Sequence, residues 1–224
     1  MLLREITSAD ELSVLVQEIG FLPFFKNEIQ GFSIEECTPP ELWFSENADG
    51  PWEWKGSVAR AGNCVYGKLF RRKAGFISLD WFKDFANYRR DGYDYEGFYE
   101  DGHSSHKDKD VYDLISESGS ILSKSIKQKL NYRKDGNKGF DTVITRLQMQ
   151  TFVCISDFEY MRDKYGREYG WGVARYSTPE NLFGEDFLAE AYETDPEASQ
   201  QKIYNYLSRS LPDASEKQIL KLIG

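Results

Sequence analysis

The sequence VYDLISESGSILSKSIKQKLNYRKDGNKGFDTVITRLQMQTFVCI, residues 111–155, contains three short apolar patterns with helical spacing and then one with strand spacing. These patterns predict a first helix that ends near Gly119, a second that is capped by Ser123, and a third that opens near Asp141. The residues that would face inward are Val111, Leu114, Ile115, Ile126, Leu130, Phe140, Val143, Ile144 and Leu147. The uninterrupted apolar residues 152–155 then predict a strand.

A second strand is predicted at residues 170–174, and residues 163–167 between the two strands supply turn-forming side chains. Three short helices followed by a two-stranded hairpin are the order of elements in a winged-helix domain. The sequence therefore predicts an α+β fold in three parts. These are an N-terminal α/β region with a basic, aromatic segment at residues 1–109, a winged helix at residues 110–184, and C-terminal helices at residues 185–224 that pack on the body.

Outside this stretch, the N-terminus has the plainest helix signal. Ser8 and Glu11 have the spacing of a capping box, an apolar face follows, and Gly20 is suited to end the helix. The residues of that face are Leu12, Leu15, Val16 and Ile19. By contrast, residues 91–110 are rich in Gly, Asp and Tyr, so we expect an exposed connection there.

The composition favours a globular protein. Of 224 residues, 40% are hydrophobic and 15% are aromatic, which is enough to bury a sizeable core. The charged N-terminus is unlike a signal peptide, and no stretch is long and apolar enough for a membrane span. The expected location is therefore the cytoplasm, and no membrane partner is expected.

The cysteines and histidines predict no metal or cofactor. Cys37, Cys64 and Cys154 are widely spaced, which favours buried reduced thiols over disulfides or paired metal ligands. His103 and His106 lie in a polar segment, and a metal there would need further ligands on a rigid element.

Basic residues are concentrated in two segments of an otherwise acidic chain with a net charge of −9. Residues 68–90 and residues 121–150 each contain seven basic and two acidic residues, a net charge of +5. Such segments are typical of a confined anion-binding face, and a solvated surface without a partner is the alternative. The candidate nucleic-acid contacts are Lys124, Lys127, Arg133, Lys134, Lys138 and Arg146, together with Arg71, Arg72, Arg89 and Arg90.

The placement of these charges predicts how duplex DNA would be bound. In a helix-turn-helix the third helix lies in the major groove, while the second crosses the backbone. Most of the positive charge of residues 121–150 belongs to the second helix and the following loop, so it would contact phosphates and give orientation rather than sequence preference.

The segment YGKLFRRKAGFIS at residues 66–78, with its continuation to Arg90, resembles the aromatic and arginine-rich segment of AlkZ-like winged-helix DNA glycosylases. The later helices, the hairpin and YSTPE at residues 176–180 are similar to the elements that follow there. The resemblance covers roughly residues 43–184 and implies a diverged, shorter relative that binds DNA.

That family removes alkylated or crosslinked bases without a metal, using a Gln-x-Gln motif that positions a water. Gln148-Met149-Gln150 matches this motif, so the resemblance makes Gln148 and Gln150 the candidate catalytic residues of a DNA glycosylase in DNA repair. The alternative is that both are ordinary polar residues at the end of the third helix.

A different class of function is a protein-interaction or regulatory module without catalytic activity. Tyr93, Tyr95, Phe98 and Tyr99 would then offer an aromatic contact surface, and the acidic C-terminal tail would face a basic protein partner. A homodimer contact through the apolar stripe of the C-terminal helices is a further alternative. The competing interpretation is that these aromatic residues cover the protein's own core.

Overall fold

The computed structural model describes residues 3–45, 48–166 and 168–224, without the side chains of residues 162 and 168–171. Its strands are β1 (Phe21–Pro23), β2 (Cys64–Phe70), β3 (Lys73–Ser78), β4 (Ile121–Leu122), β5 (Cys154–Arg162) and β6 (Glu168–Ser177). Within the described ranges they form one antiparallel sheet in the order β1-β3-β2-β5-β6-β4. β1 and β4 are therefore its two edges.

Helices surround this sheet. They are α1 (Ala9–Ile19), α2 (Ile34–Cys37), α3 (Pro51–Arg60), α4 (Leu79–Arg90), α5 (Tyr95–Glu100), α6 (His106–Ser118), α7 (Ser123–Lys129), α8 (Phe140–Met149), α9 (Pro179–Phe183), α10 (Pro196–Ser210) and α11 (Glu216–Ile223). Short 3-10 segments occupy Pro40–Leu42 and Glu185–Glu193. Among the described residues, every helix is too short or too polar to cross a bilayer.

The predicted first helix is confirmed as α1. The Ser8 hydroxyl accepts a hydrogen bond from the Glu11 backbone N–H at 3.2 Å, and Gly20 ends the helix with a φ of 72°. The four predicted apolar residues are buried. The reciprocal half of the capping box differs, because the Glu11 carboxylate accepts from the Thr7 backbone N–H at 2.7 Å.

Most of residues 91–110 are exposed, as expected, but the segment is helical rather than an irregular connection. Asp94 caps α5 by accepting from the Gly97 backbone N–H at 2.8 Å, and α6 begins at His106. Tyr95 and Phe98 are 3% and 9% exposed, and both rings contact Phe152. The Gly- and Asp-rich composition concealed a short helix whose apolar side is covered by a residue distant in sequence. For these two aromatic residues, the core interpretation is correct.

The mixed α and β composition is confirmed, and the predicted order of three helices and a hairpin is present as α6, α7, α8, β5 and β6. Ser123 is the first residue of α7 rather than its cap, because the short strand β4 extends to Leu122. The inward residues predicted for α8 are buried. This length of chain also contains the unpredicted strand β4, which pairs with β6 through Ile121 and Tyr176.

The sheet and the hydrophobic core continue across the predicted boundary between residues 109 and 110. Tyr66 of β2 pairs with Ile155 of β5, which joins the N-terminal strands to the C-terminal hairpin. The same core includes Ile203 of α10 and Ile219 of α11. The division of the chain into three units stays a prediction.

Candidate nucleic-acid interface

The second basic segment forms an exposed ridge made of α7 and the loop of residues 130–139 that connects it to α8, called here the α7–α8 loop. Lys124 Nζ lies 3.5 Å from Glu159 Oε1, and Lys127 Nζ lies 3.5 Å from Asp141 Oδ1. Both lysines keep substantial exposure, at 61% and 42% of the side chain. Ion pairs this long and this exposed contribute little to stability, so both ammonium groups stay accessible to an anion.

Three further cations lie in the α7–α8 loop. Arg133, Lys134 and Lys138 are exposed, and none of them forms an ion pair with a described side chain. The backbone that holds them is ordered by Asn137, whose side chain donates to the Leu130 carbonyl at 2.8 Å, and by Lys138 Nζ, which donates to the Arg133 carbonyl at 3.1 Å. The loop is thus a short, internally bonded segment with concentrated positive charge.

Arg146 lies on α8 but its charge is neutralised. Its guanidinium donates to both carboxylate oxygens of Asp108, from Nη2 at 2.6 Å and from Nε at 3.1 Å. The Asp108 side chain is 3% exposed and also accepts from the Ser105 hydroxyl at 2.7 Å. Because a bidentate, charge-assisted pair is geometrically specific, it orients Arg146 toward α6. The Ser105-x-x-Asp108 spacing is that of a capping box, and this sequence pattern identifies Asp108 as a structural carboxylate at the start of α6.

Gln148 is completely buried between α8 and β2. Its Oε1 accepts from the Lys68 backbone N–H at 3.0 Å, and its Nε2 donates to the Ile144 carbonyl at 2.9 Å. Both ends of this amide are therefore engaged within the fold. Gln150 caps α8 and is half-buried; its Oε1 is buried without a hydrogen-bond partner among the described residues. The catalytic assignment of the pair remains a prediction.

β2, the turn between β2 and β3, and α4 together cover the C-terminal half of α8. Lys68 Nζ donates to Thr145 Oγ1 at 3.0 Å, and the Arg72 backbone N–H contacts Met149 Sδ at 3.0 Å. Arg89 donates to the Met149 carbonyl at 3.5 Å. The first basic segment therefore meets the second at α8, but mainly through contacts that close the surface of this helix.

Two arginines of the first basic segment bond within the fold, Arg90 buried and Arg89 half-buried. Arg90 is 1% exposed and donates to Glu180 Oε1 and Tyr192 Oη, both at 2.6 Å, and to the Thr151 carbonyl at 2.8 Å. Burial lowers the pKa of Arg89 to about 10, and its guanidinium lies 4.8 Å from the centroid of the Phe85 ring. The hydrogen bonds that these two guanidinium groups donate connect α4 to other parts of the fold.

Arg71 and Arg72 form the β2–β3 turn, with φ values of 49° and 68°. Both side chains are exposed, and Arg71 Nη1 lies 3.6 Å from Glu28 Oε1. This turn is on the β1 side of the sheet order, whereas α7 follows β4 at the opposite edge. Arg89, Arg90 and Arg146 thus bond within the fold, and the other seven candidate contacts are divided between this turn and the segment formed by α7 and its loop.

The cysteines and histidines have structural partners. Cys37, Cys64 and Cys154 are buried and unbridged, and burial raises the pKa of Cys37 and of Cys64 to about 12. His106 Nδ1 lies 2.5 Å from the Tyr99 hydroxyl, and His103 contacts the ring of Phe98. Over the described ranges, His, Cys, Asp and Glu form no group of three or more suited to a metal ion.

The chain matches the family described as AlkZ related over residues 6–224. Because this match spans nearly the whole sequence, the protein belongs to the AlkZ-related family, as its aromatic and arginine-rich segment indicated. Neither the comparison with curated proteins nor the comparison with solved structures finds a match.

Proposed function

We propose that this AlkZ-related protein binds duplex DNA by its phosphate backbone, through α7 and the α7–α8 loop. The observation that carries the proposal is the exposed cluster of Arg133, Lys134 and Lys138, which has no carboxylate partner among the described side chains. In a protein with a net charge of −9, such a cluster confines attraction for a polyanion to one place.

The element order supports a winged helix as the DNA-binding unit. β4 pairs with β6, and β6 pairs with β5, so a three-stranded antiparallel arrangement lies beside α6, α7 and α8. In this unit α7 would cross the phosphate backbone, as the second helix of a helix-turn-helix does.

The covered face of α8 argues for binding without strong sequence preference. Its C-terminal half contacts the β2–β3 turn, and Arg146 is held by Asp108. The outer N-terminal end presents Asp141, which is 85% exposed and would repel phosphate. Phosphate contacts from α7 and its loop would thus dominate over contacts to base edges, and affinity would depend strongly on salt.

A salt titration tests the proposal. The affinity of the full chain for a short labelled duplex is measured by fluorescence anisotropy between about 50 and 200 mM salt. If Lys124, Lys127, Arg133, Lys134 and Lys138 each contact a phosphate, we expect the logarithm of the association constant to fall with the logarithm of salt with a slope of roughly −4.5. A dissociation constant that does not change with salt, or that stays millimolar at low salt, would contradict a phosphate-binding face. A protein-interaction module would then be the better interpretation.

A pair of matched triple variants locates the face. Changing Arg133, Lys134 and Lys138 to Gln should reduce the magnitude of the slope by about 2.7, which corresponds to three lost phosphate contacts. The control changes Arg4, Lys83 and Lys202 to Gln, which alters the net charge equally at exposed ion pairs elsewhere. Equal losses in both triples would show that only the overall charge matters and would overturn the assignment of the loop.

A further inference from the structure

An open cleft of about 500 Å³ lies at the β1 edge of the sheet. One wall is the loop that follows β1, the second is the β2–β3 turn, and the third is α11. Its apolar lining includes the rings of Phe25 and Phe70 and the side chains of Ile29 and Leu222. A volume of this size accommodates a small organic ligand.

The charged side chains that line the cleft are mostly basic. Its four cations come from all three walls and are Lys26, Arg71, Lys73 and Lys221. Glu28 is the single acidic residue in the lining. Although the whole chain has a net charge of −9, this cleft combines an excess of cations with an apolar floor.

Glu28 occupies the position between these cations that an anion would take. Its Oε1 is hydrogen-bonded by Lys221 Nζ and lies 3.6 Å from Arg71 Nη1. The hydrogen bond from Lys221 is the main cause that lowers the pKa of Glu28, and the charges of Arg71 and Lys217 act in the same direction. One oxygen of this half-exposed side chain is thus shared by two cations, while Lys73 Nζ, among the described residues, donates to the Lys26 carbonyl at 3.3 Å.

We propose that this cleft binds a small aromatic anion of the class of a nucleoside monophosphate. The phosphate would replace Glu28 as the partner of Arg71 and Lys221, because guanidinium and ammonium groups are the preferred ligands of phosphate in proteins. The base would lie against Phe25 and the apolar floor, since aromatic side chains stack on all four types of nucleobase.

The cleft is independent of the proposed DNA-binding face. It lies at the β1 edge, whereas α7 packs against β6 and β4 at the other edge. A failure of nucleotide binding would therefore leave the DNA-binding proposal untouched, and the reverse also holds.

Calorimetric titration of the full chain with adenosine 5′-monophosphate tests the proposal, with adenosine and inorganic phosphate as separate probes. We expect saturable binding of the monophosphate and weaker binding of each part alone. Lys221→Gln should weaken binding about tenfold, because a charge-assisted hydrogen bond to the phosphate is lost. Glu28→Gln should instead tighten binding severalfold, because the internal competitor for the cations is removed.

The opposite signs of these two effects exclude a general loss of folding, and matched controls elsewhere on the surface exclude a general effect of charge. The matched controls are Lys202→Gln and Glu18→Gln, which make the same charge changes at exposed ion pairs elsewhere. Thermal melting confirms that each variant is folded. The proposal is overturned by absence of saturable binding, by controls that change affinity as much as the cleft variants, or by unchanged or weaker binding to Glu28→Gln.

Discussion

Arg146 and Asp108 form a bidentate ion pair that joins α8 to α6, with Nη2 to Oδ1 at 2.6 Å and Nε to Oδ2 at 3.1 Å. The carboxylate is buried and the guanidinium is half-exposed. A basic residue on the third helix of a helix-turn-helix is expected to contact DNA, yet here the geometry gives it an intramolecular partner.

This pair predicts a difference between stability and DNA affinity. Arg146→Gln should lower the free energy of unfolding by about 1–3 kcal/mol, because Asp108 loses its bidentate partner. DNA affinity should change less than twofold. Urea unfolding and anisotropy measure the two quantities, and a variant that unfolds normally but binds DNA much more weakly would assign Arg146 to the interface instead.

The buried Arg90 predicts a larger loss of stability. Arg90→Met should cost about 3–5 kcal/mol, because Glu180, Tyr192 and the Thr151 carbonyl all lose their donor. Arg4→Met is the matched control, since the Arg4–Glu18 pair is exposed and should contribute less than about 1 kcal/mol. Similar urea midpoints for the two variants would contradict a structural role for Arg90.

The two glutamines are expected to respond differently to substitution. Gln148→Ala should destabilise the fold by about 1–3 kcal/mol, because the Lys68 N–H loses its acceptor inside the protein. If the catalytic assignment holds, the wild-type chain releases a modified base from alkylated duplex DNA and Gln150→Ala abolishes that release while remaining folded. Chromatography of the released base measures this, and no release by the wild-type chain would refute the assignment.

Lys55 predicts a pH dependence of stability between about pH 8 and 10. Its ammonium group lies 4.6 Å from the Phe158 ring centroid, and burial lowers its pKa from 10.5 to about 8. In this pH range the unfolded chain binds more protons at Lys55 than the folded chain, so the contribution of Lys55 to stability rises with pH.

Burial raises the pKa values of the buried cysteines, so above about pH 9 their contribution to stability falls as the pH rises. The test therefore compares the wild-type chain with a Lys55 variant, because the cysteines contribute equally to both. The free energy of unfolding of the wild-type chain relative to Lys55→Met should increase from pH 8 to pH 10. A difference that stays constant over that range would show that Lys55 titrates normally.

The sequence predicted elements best where the signal was local. The apolar spacings in α1 and α8 lie within one helix, and the capping geometry of Ser8 involves only the next three residues. The helix α5 within residues 91–110 was not predicted, because Tyr95 and Phe98 are covered by Phe152, which no pattern within that segment indicates.

By itself the sequence determined the AlkZ-related family, the mixed α and β composition, and the inward faces of its amphipathic helices, because periods of 3.6 and 2 residues are properties of neighbouring positions. Only the tertiary structure decided which cations remain free for a ligand. The carboxylates that neutralise Arg146 and Arg90 lie 38 and 90 positions away, and an ion pair depends on distance in space rather than along the chain.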